Sequence, residues 1–562
     1  MMRLFVVALI LQPVIGFCQL ESNNWYFGDS ASVTFSSGVP QYTLNGKLSS
    51  YESGSSISDS SGNLLFYSSG YEIWNRDHEI MTGGEYLNLG GITSYTQGVL
   101  ILNEPGSFNR YYLMTLYAKS AVQYFTYSLI DMSLDNGNGA VLIRNDTLIV
   151  QVMNGEPYLN EKMTAVKHAN AKDWWILLHK GETDEFLLYL LDADGLHGPN
   201  IQAIGQDHPE GDIGEMVFDQ SGTQLAASWV LGKIDYFKFD RCNGILSNYI
   251  NVFDTIVSNN SGSHYFYGCE FSPNGKMIYM TTFTRVYQFE IDTVNNQFTK
   301  HVIWQSPDTI LCLGQLQIGP DDRIYTPGNH ATIWPPQEYD STNMYLHTIL
   351  EPDSSGSACN FQLYNVYLGG KRSTLNLPNL PNYDLGALPS YEVIAGEDTI
   401  IFLGDSVELG SAQVNGIVYT WQPNDGSLSA TDIAQPTATP TQTTQYILTV
   451  NDTSGNYSCA VRNDTVMVTV NWHDGVGGVA EEGGITIYPN PADELCVVNC
   501  ELCEKENCNL KVFDVMGKEI YRSIISTSEF KLETSNFANG IYFVRIDGVE
   551  GRMKTGRFVV AR

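Results

Sequence analysis

Cys496, Cys500, Cys503 and Cys508, spaced Cys-x3-Cys-x2-Cys-x4-Cys, are the densest group of side chains in the chain that could do chemistry. Thiolates at such short spacing can close a tetrahedron around zinc. In an oxidising compartment, and without paired Cys-x2-Cys knuckles, two local disulfides are the expected reading and zinc the alternative. Asp192-Ala-Asp194-Gly195 and the loop DMSLDNGNG at 131–139 gather carboxylates and glycine as hard Ca²⁺ requires. Neither has the distal Glu of a calcium loop, so each reads first as a hairpin turn, with Ca²⁺ as a weaker alternative and no other cofactor expected. Trp74, Arg76, Asp77 and His78, with His168, Trp174, Trp175 and His179, are the richest mixtures of aromatic and titratable groups. Trp74, Asp77, His78, His168, Trp174 and His179 are therefore the candidate ligand-binding residues, stacking on a sugar being the chemistry they offer. The competing reading is packing, because Trp174 and Trp175 on one strand must face opposite ways.

No H-E-x-x-H, G-x-S-x-G, phosphate loop or dinucleotide fingerprint occurs, so no catalytic residue and no metal ligand is assigned and no enzyme is expected. Two carboxylates meeting at the mouth of a fold could still hydrolyse a glycoside, a pairing that sequence does not reveal.

The elements that must position these groups are strands. Over 562 residues, 43% are hydrophobic and 12% aromatic, with 33 Tyr and 51 Gly, while only 16% are charged. This is a globular, turn-rich β composition, long enough for several cores. With 30 Lys and Arg against 62 Asp and Glu, the net charge of −32 repels phosphates and anionic membrane surfaces, so nucleic acid is excluded as a partner. Residues 1–18 carry Arg3, an apolar stretch, and small Gly16 and Cys18 before a cut at Gln19, the outline of a signal peptide. No later apolar run spans a membrane. Removing the leader leaves nine of the ten cysteines, an odd number.

A turn followed at once by an aromatic, β-branched strand occurs six times, at 59–62, 105–106, 170–173, 219–222, 272–275 and 319–322, recurring about every 52 residues. That is the size of a four-stranded propeller blade. Residues 19–388 are expected to form a β-propeller of six to eight blades, seven being preferred, with the strand at 25–28 completing the last blade near 363–368. Residues 389–472, with strands alternating with Thr/Pro/Asn turns, give an Ig-like β-sandwich spacer anchored by Trp421 and Tyr446. The Gly-rich acidic stretch 473–484 is a linker, and 485–562 is a third β unit. The fold class is all-β throughout.

In that last unit, Ile-Tyr-Pro-Asn-Pro-Ala (487–492), Lys-Val-Phe-Asp-Val-Met-Gly-Lys (511–518), Asn-Gly-Ile-Tyr-Phe-Val-Arg (539–545) and the close at 554–560 resemble the type A C-terminal sorting domain of the type IX secretion system of Bacteroidetes. The resemblance implies a small β-sandwich recognised by outer-membrane secretion machinery, and carries its motif positions onto Pro489, Asn490, Pro491, Gly517, Gly540, Tyr542 and Lys554. The four cysteines depart from the family pattern. The N-terminal region is similar to propeller-like proteins of Bacteroidetes without a known activity, and the middle region resembles Ig-like and polycystic-kidney-disease-type modules, with Phe402 where such modules often carry Cys. That departure leaves Cys459 without an expected partner. A protein secreted or held at the outer cell surface through the periplasm follows, its propeller binding a glycan or surface protein in adhesion. The rival is a secreted polysaccharide hydrolase or lyase with its site in the propeller funnel.

Overall fold

The computed structural model describes residues 20–87, 94–152, 158–208, 213–229, 232–253, 266–292, 295, 297–307, 311–330, 342–389, 392–452, 459, 462–471, 484–504, 507–549 and 552–562. The leader at 1–18 and nearly all of the 473–484 linker lie outside these residues. The chain divides into two units, Met1–Val470 and Asn471–Arg562.

The six turns singled out in sequence all fall at one place, the hairpin between the first and second strands of a sheet. Asp219 shows why these residue types recur there: its Oδ1 accepts the backbone N–H groups of Thr223 and Gln224 at 2.9 and 2.8 Å, and Gly222 turns the chain at φ +70°. Asp59 does the same for Ser61 and Asn63, and Asn170 for Lys172 and Asp173. Six sheets follow these turns, opening with the strands Ser55–Ser58, Val99–Asn103, Leu159–Lys167, Met216–Phe218, Phe266–Phe271 and the Leu311–Leu313/Gln317–Ile318 pair. The opening strands of successive sheets touch, so they form the inner wall of a ring. Their burial is nearly complete, as in Phe266–Phe271 and Ser55–Ser58.

A seventh sheet, Asn24–Phe27, Ala31–Thr34 and Gln41–Tyr42, has no such turn. Its inner position is filled from the other end of the propeller region. Residues 373–377 run between Gln315 and Tyr51: Leu375 N–H donates to Tyr51 O at 3.2 Å, and Gln315 N–H donates to Leu375 O at 3.0 Å. Asp29 N–H donates to Arg372 O at 2.8 Å. The fold is therefore a seven-bladed propeller whose first blade joins both ends of the ring. The expected pairing of 25–28 with 363–368 is corrected: Phe361–Tyr367 pairs with Tyr345–Ile349 as the outermost strand of the seventh blade. The chain must return to the axis before it can meet Gly28, and residues 368–372 make that return.

After the ring, Thr399–Phe402, Arg462–Asn471, Thr444–Asp452 and Ile417–Gln422 form one sheet and Val407–Glu408 with Thr437–Ala438 another. They share a core in which Trp421 and Tyr446 are buried. Strand Ile417–Gln422 alternates buried and exposed residues, as one face on a core requires. Cys459 is not left single: it is bonded to Cys242 of the fifth blade.

The second unit contains the sheet Thr486–Tyr488, Leu495–Asn499, Glu529–Glu533 and the sheet Glu519–Ile525, Cys508–Phe513, Gly540–Asp547, Met553–Val560, closed on one apolar core. Glu519–Ile525 and Glu529–Glu533 are strands that periodicity does not reveal, because charged residues interrupt their apolar faces. No helix among the described residues is long and apolar enough to cross a membrane.

Candidate functional site

An inner strand has a sheet neighbour on one side only, so its other edge presents backbone N–H and C=O groups to the axis. Left unpaired away from water, each costs about 1–3 kcal/mol. The chain satisfies them with side chains. Glu215 accepts from Cys269 N–H and Leu316 N–H at 2.8 and 3.0 Å. Glu270 accepts from Phe271 and Ile318 at 2.8 and 2.9 Å. Thr96 donates to Glu161 Oε2 through its backbone N–H at 3.0 Å and its hydroxyl at 2.8 Å. Gln97 takes both groups of Met216, accepting at 2.8 Å and donating at 3.1 Å. Across the ring Tyr267 OH donates to Glu52 Oε1 at 3.1 Å, and Ser94 donates to Oε2.

Four carboxyl groups are thus held in a poorly hydrated space. Burial pushes Glu270 up to about 8, and burial followed by the charge of Glu52 pushes Glu161 up to about 7. Burial raises Glu52 and Glu215 also. Glu161 keeps part of its surface exposed. A cavity of about 40 Å³ lies between Gln97, Glu215, Glu270, Asn379 and Asn382. It has room for a few water molecules and not for a sugar ring.

A larger concavity opens at the rim between the first and seventh blades. Its volume is about 670 Å³, and its lining includes Gln41, Tyr42, Arg323, Asn365 and Tyr367. Tyr42 and Tyr367 are 47% and 44% exposed, with ring centroids 5.7 Å apart at 76°. Tyr345 stands 5.2 Å from Tyr367 and 5.6 Å from Tyr364. Large aromatic rings left half in water beside amide and guanidinium donors have both an apolar face and polar neighbours to offer a ligand.

The candidate residues from sequence lie elsewhere and in two groups. Trp74, Asp77 and His78 sit at one corner of the second blade. Trp74 stacks on Tyr67 at 5.4 Å, His78 Nδ1 is 3.2 Å from Tyr67 OH, and Asp77 accepts from Asn138 at 2.8 Å. His168, Trp174 and His179 belong to the fourth blade. Trp174 is fully buried with its Nε1 on Asn103 at 3.2 Å. His179 is buried against Asn160 at 3.1 Å, and burial lowers its pKa well below the usual range. His168 lies 3.1 Å from Cys242 O. Neither group reaches the axis or the rim groove. Among the described residues no three His, Cys, Asp or Glu side chains are placed to hold a metal, and the carboxylates of Asp131 and Asp192 are engaged within their own turns.

Sequence reasoning missed the axial residues, although a signal existed. Glu215 and Gln315 each stand four residues before the turn residues Asp219 and Gly319, and Glu270 and Gln317 each stand two before Ser272 and Gly319. Aligning the repeats on those turns exposes a polar residue inside strands otherwise apolar.

In the second unit the motif residues occupy two turns and the last two strands. Asn490 accepts from Val559 N–H at 2.8 Å, and Ala492 N–H donates to Val559 O at 2.7 Å, fixing the opening motif on the last strand. Gly517, at φ +77°, completes a turn in which Asp514 accepts from Met516 and Lys518, both at 2.9 Å. Tyr542 packs on Phe558 with its hydroxyl on Ala538 O at 2.7 Å, and Lys554 pairs across from Ile546. Pro489 and Pro491 flank Asn490 in the first turn, and Gly540 begins the strand that carries Tyr542.

Residues 486–561 match the family model described as the secretion system C-terminal sorting domain. The chain therefore carries the export signal of a type IX secretion substrate, directing it to the cell surface or the medium. No curated protein matches the chain. Among solved structures, a suggested 6-phosphogluconolactonase of Bacteroides uniformis is 12% identical over 63% of this chain and 97% of its own, with a TM-score of 0.40. The β-propeller domain of Cps50 (Swd1) from Myceliophteria thermophila is 11% identical over 55% of this chain and 94% of its own, at 0.33. The gluconolactonase XC5397 of Xanthomonas campestris is 12% identical over 47% and 78%, at 0.26. At such values none of them argues for an activity of this chain.

Proposed function

We propose that this exported chain is a surface or secreted binding protein whose propeller takes an oligosaccharide in the rim groove between its first and seventh blades. The middle region is then an Ig-like spacer, residues 389–472, between a propeller ending near 388 and a sorting domain beginning at 485. The observation that carries the reading is the pair of half-exposed rings Tyr42 and Tyr367, set beside Gln41, Asn365 and Arg323. A sugar's apolar face stacks on such rings while its hydroxyls meet the amides and the guanidinium. The groove's volume falls in the usual range for ligand sites. The test is binding of the full exported chain to an array of neutral and uronate-containing oligosaccharides, repeated with Tyr42→Ala and Tyr367→Ala. Saccharide binding that both variants lose supports the reading. No binding across the array, or binding that both variants retain, sinks it.

A second reading, a polysaccharide hydrolase or lyase, draws on the Glu52–Glu161 pair. Against it stands the fact that both carboxyl groups already serve Ser94, Tyr267 and Thr96. Depolymerisation of polysaccharide by the wild type that Glu161→Gln abolishes would favour it.

A further inference from the structure

The late cysteines have no part in either reading. Cys496, Cys500, Cys503 and Cys508 are all almost fully buried in the core of the second unit. Three of them gather. The Cys503 sulfur has those of Cys508 and Cys500 as neighbours, and none of the four is disulfide-bonded in the structure, so the two local disulfides expected from sequence are not formed there. Cys500 and Cys503 share one turn, closed by Cys503 N–H on Cys500 O at 3.2 Å. Cys508 belongs to another element, the strand Cys508–Phe513 in the middle of the larger sheet. A bond from Cys503 to Cys508 thus ties the turn to the sheet, whereas one from Cys503 to Cys500 adds only to a turn already closed.

We propose that Cys503 and Cys508 form a disulfide in the exported protein, within the sorting domain itself. Two thiols lose two protons and two electrons, one Sγ–Sγ bond forms, and the disulfide of a periplasmic thiol oxidase accepts both electrons and both protons to become a dithiol. The export signal supplies the oxidising compartment in which such a bond persists. Metal binding is the weaker account of the cluster, since no three ligands among the described residues are placed to hold an ion. Burial and the neighbouring sulfurs push the Cys503 thiol far up, so the folded domain holds almost no thiolate there. Buried in the core, the bond is out of reach of reductant unless the domain is unfolded.

Lys505 lies between the two cysteines, and the next basic residue is Lys511. Trypsin therefore separates Cys503 from Cys508, and only a disulfide keeps their peptides together. The full-length chain, recovered from the periplasm without reductant, is alkylated under denaturing conditions, digested and analysed by mass spectrometry. The expected result is peptide 506–511 joined to the peptide ending at Lys505, with fragmentation assigning Cys503, released by reductant, and unchanged in Cys500→Ser. Recovery of 506–511 as a free alkylated thiol overturns the proposal. So does a linkage assigned to Cys500 or Cys496, or one lost in Cys500→Ser.

Discussion

Asn376 accepts a hydrogen bond from the backbone N–H of Gly28 at 2.9 Å, although 348 positions separate them. Its Nδ2 donates to Ser53 O at 3.2 Å, so one buried carboxamide joins the first blade, the second blade and the segment that closes the ring. Gly28 is fixed as well: it lies at φ +60°, and a Cβ there would come within 2.9 Å of Ser373 Cα.

Replacing Asn376 with Leu strands a buried N–H and a buried C=O. At about 1–3 kcal/mol for each unsatisfied group, the propeller should lose a large share of its stability. Thermal unfolding of the full-length chain followed by near-UV circular dichroism measures this. A transition at the wild-type temperature would show that the closure lies elsewhere.

The axial carboxyl groups make stability depend on pH in a stated direction. Glu161 and Glu270 have folded pKa values raised above those of the unfolded chain, so the folded state binds more protons and its stability falls as pH rises. The contribution is fully present below about 4.5, the usual glutamate value, and is lost as pH rises through about 7 and about 8. Denaturant unfolding should show a less stable propeller at pH 8.5 than at pH 5. Glu161→Gln keeps an oxygen for Thr96 and removes one titration, so its decline between pH 6 and 8 should be shallower than that of the wild type.

At the rim, Tyr42→Ala and Tyr367→Ala should each weaken oligosaccharide binding about tenfold or more, equivalent to about 1.4 kcal/mol. Unfolding temperature should hardly move, because both rings are half in water. Titration calorimetry on the two variants, with unfolding as the control, separates loss of a ligand contact from loss of fold.

Deleting residues 485–562 should leave the chain in the periplasm, detected by fractionation and immunoblotting. Asn490→Ala removes the acceptor for Val559 N–H at the last strand and should destabilise the second unit by about 1 kcal/mol. Secretion of the truncated chain at the wild-type level would remove the export role from these residues.

The sequence by itself determined the strand class and the repeat. A hairpin between inner and second strands needs Asp or Asn to cap its N–H groups and Gly to turn, so Asp219 with Gly222 leaves a local mark that recurs. The same locality made part of the sorting domain legible, since Gly517 does its work within a turn, whereas Asn490 reaches Val559, 69 positions away. Only the tertiary structure decided what Glu52, Glu161, Glu215 and Glu270 do. Each has at least one partner on another blade, Leu316 being 101 residues from Glu215 and Tyr267 being 215 from Glu52. Periodicity registers which face of a strand is apolar, but not which distant backbone group a side chain will meet. Trp174 and His179 looked functional because aromatic and titratable types are shared by cores and binding sites, and the packing of neighbouring blades buried them. Tyr42 and Tyr367 carried no signal, because their groove exists only once the two ends of the ring have met.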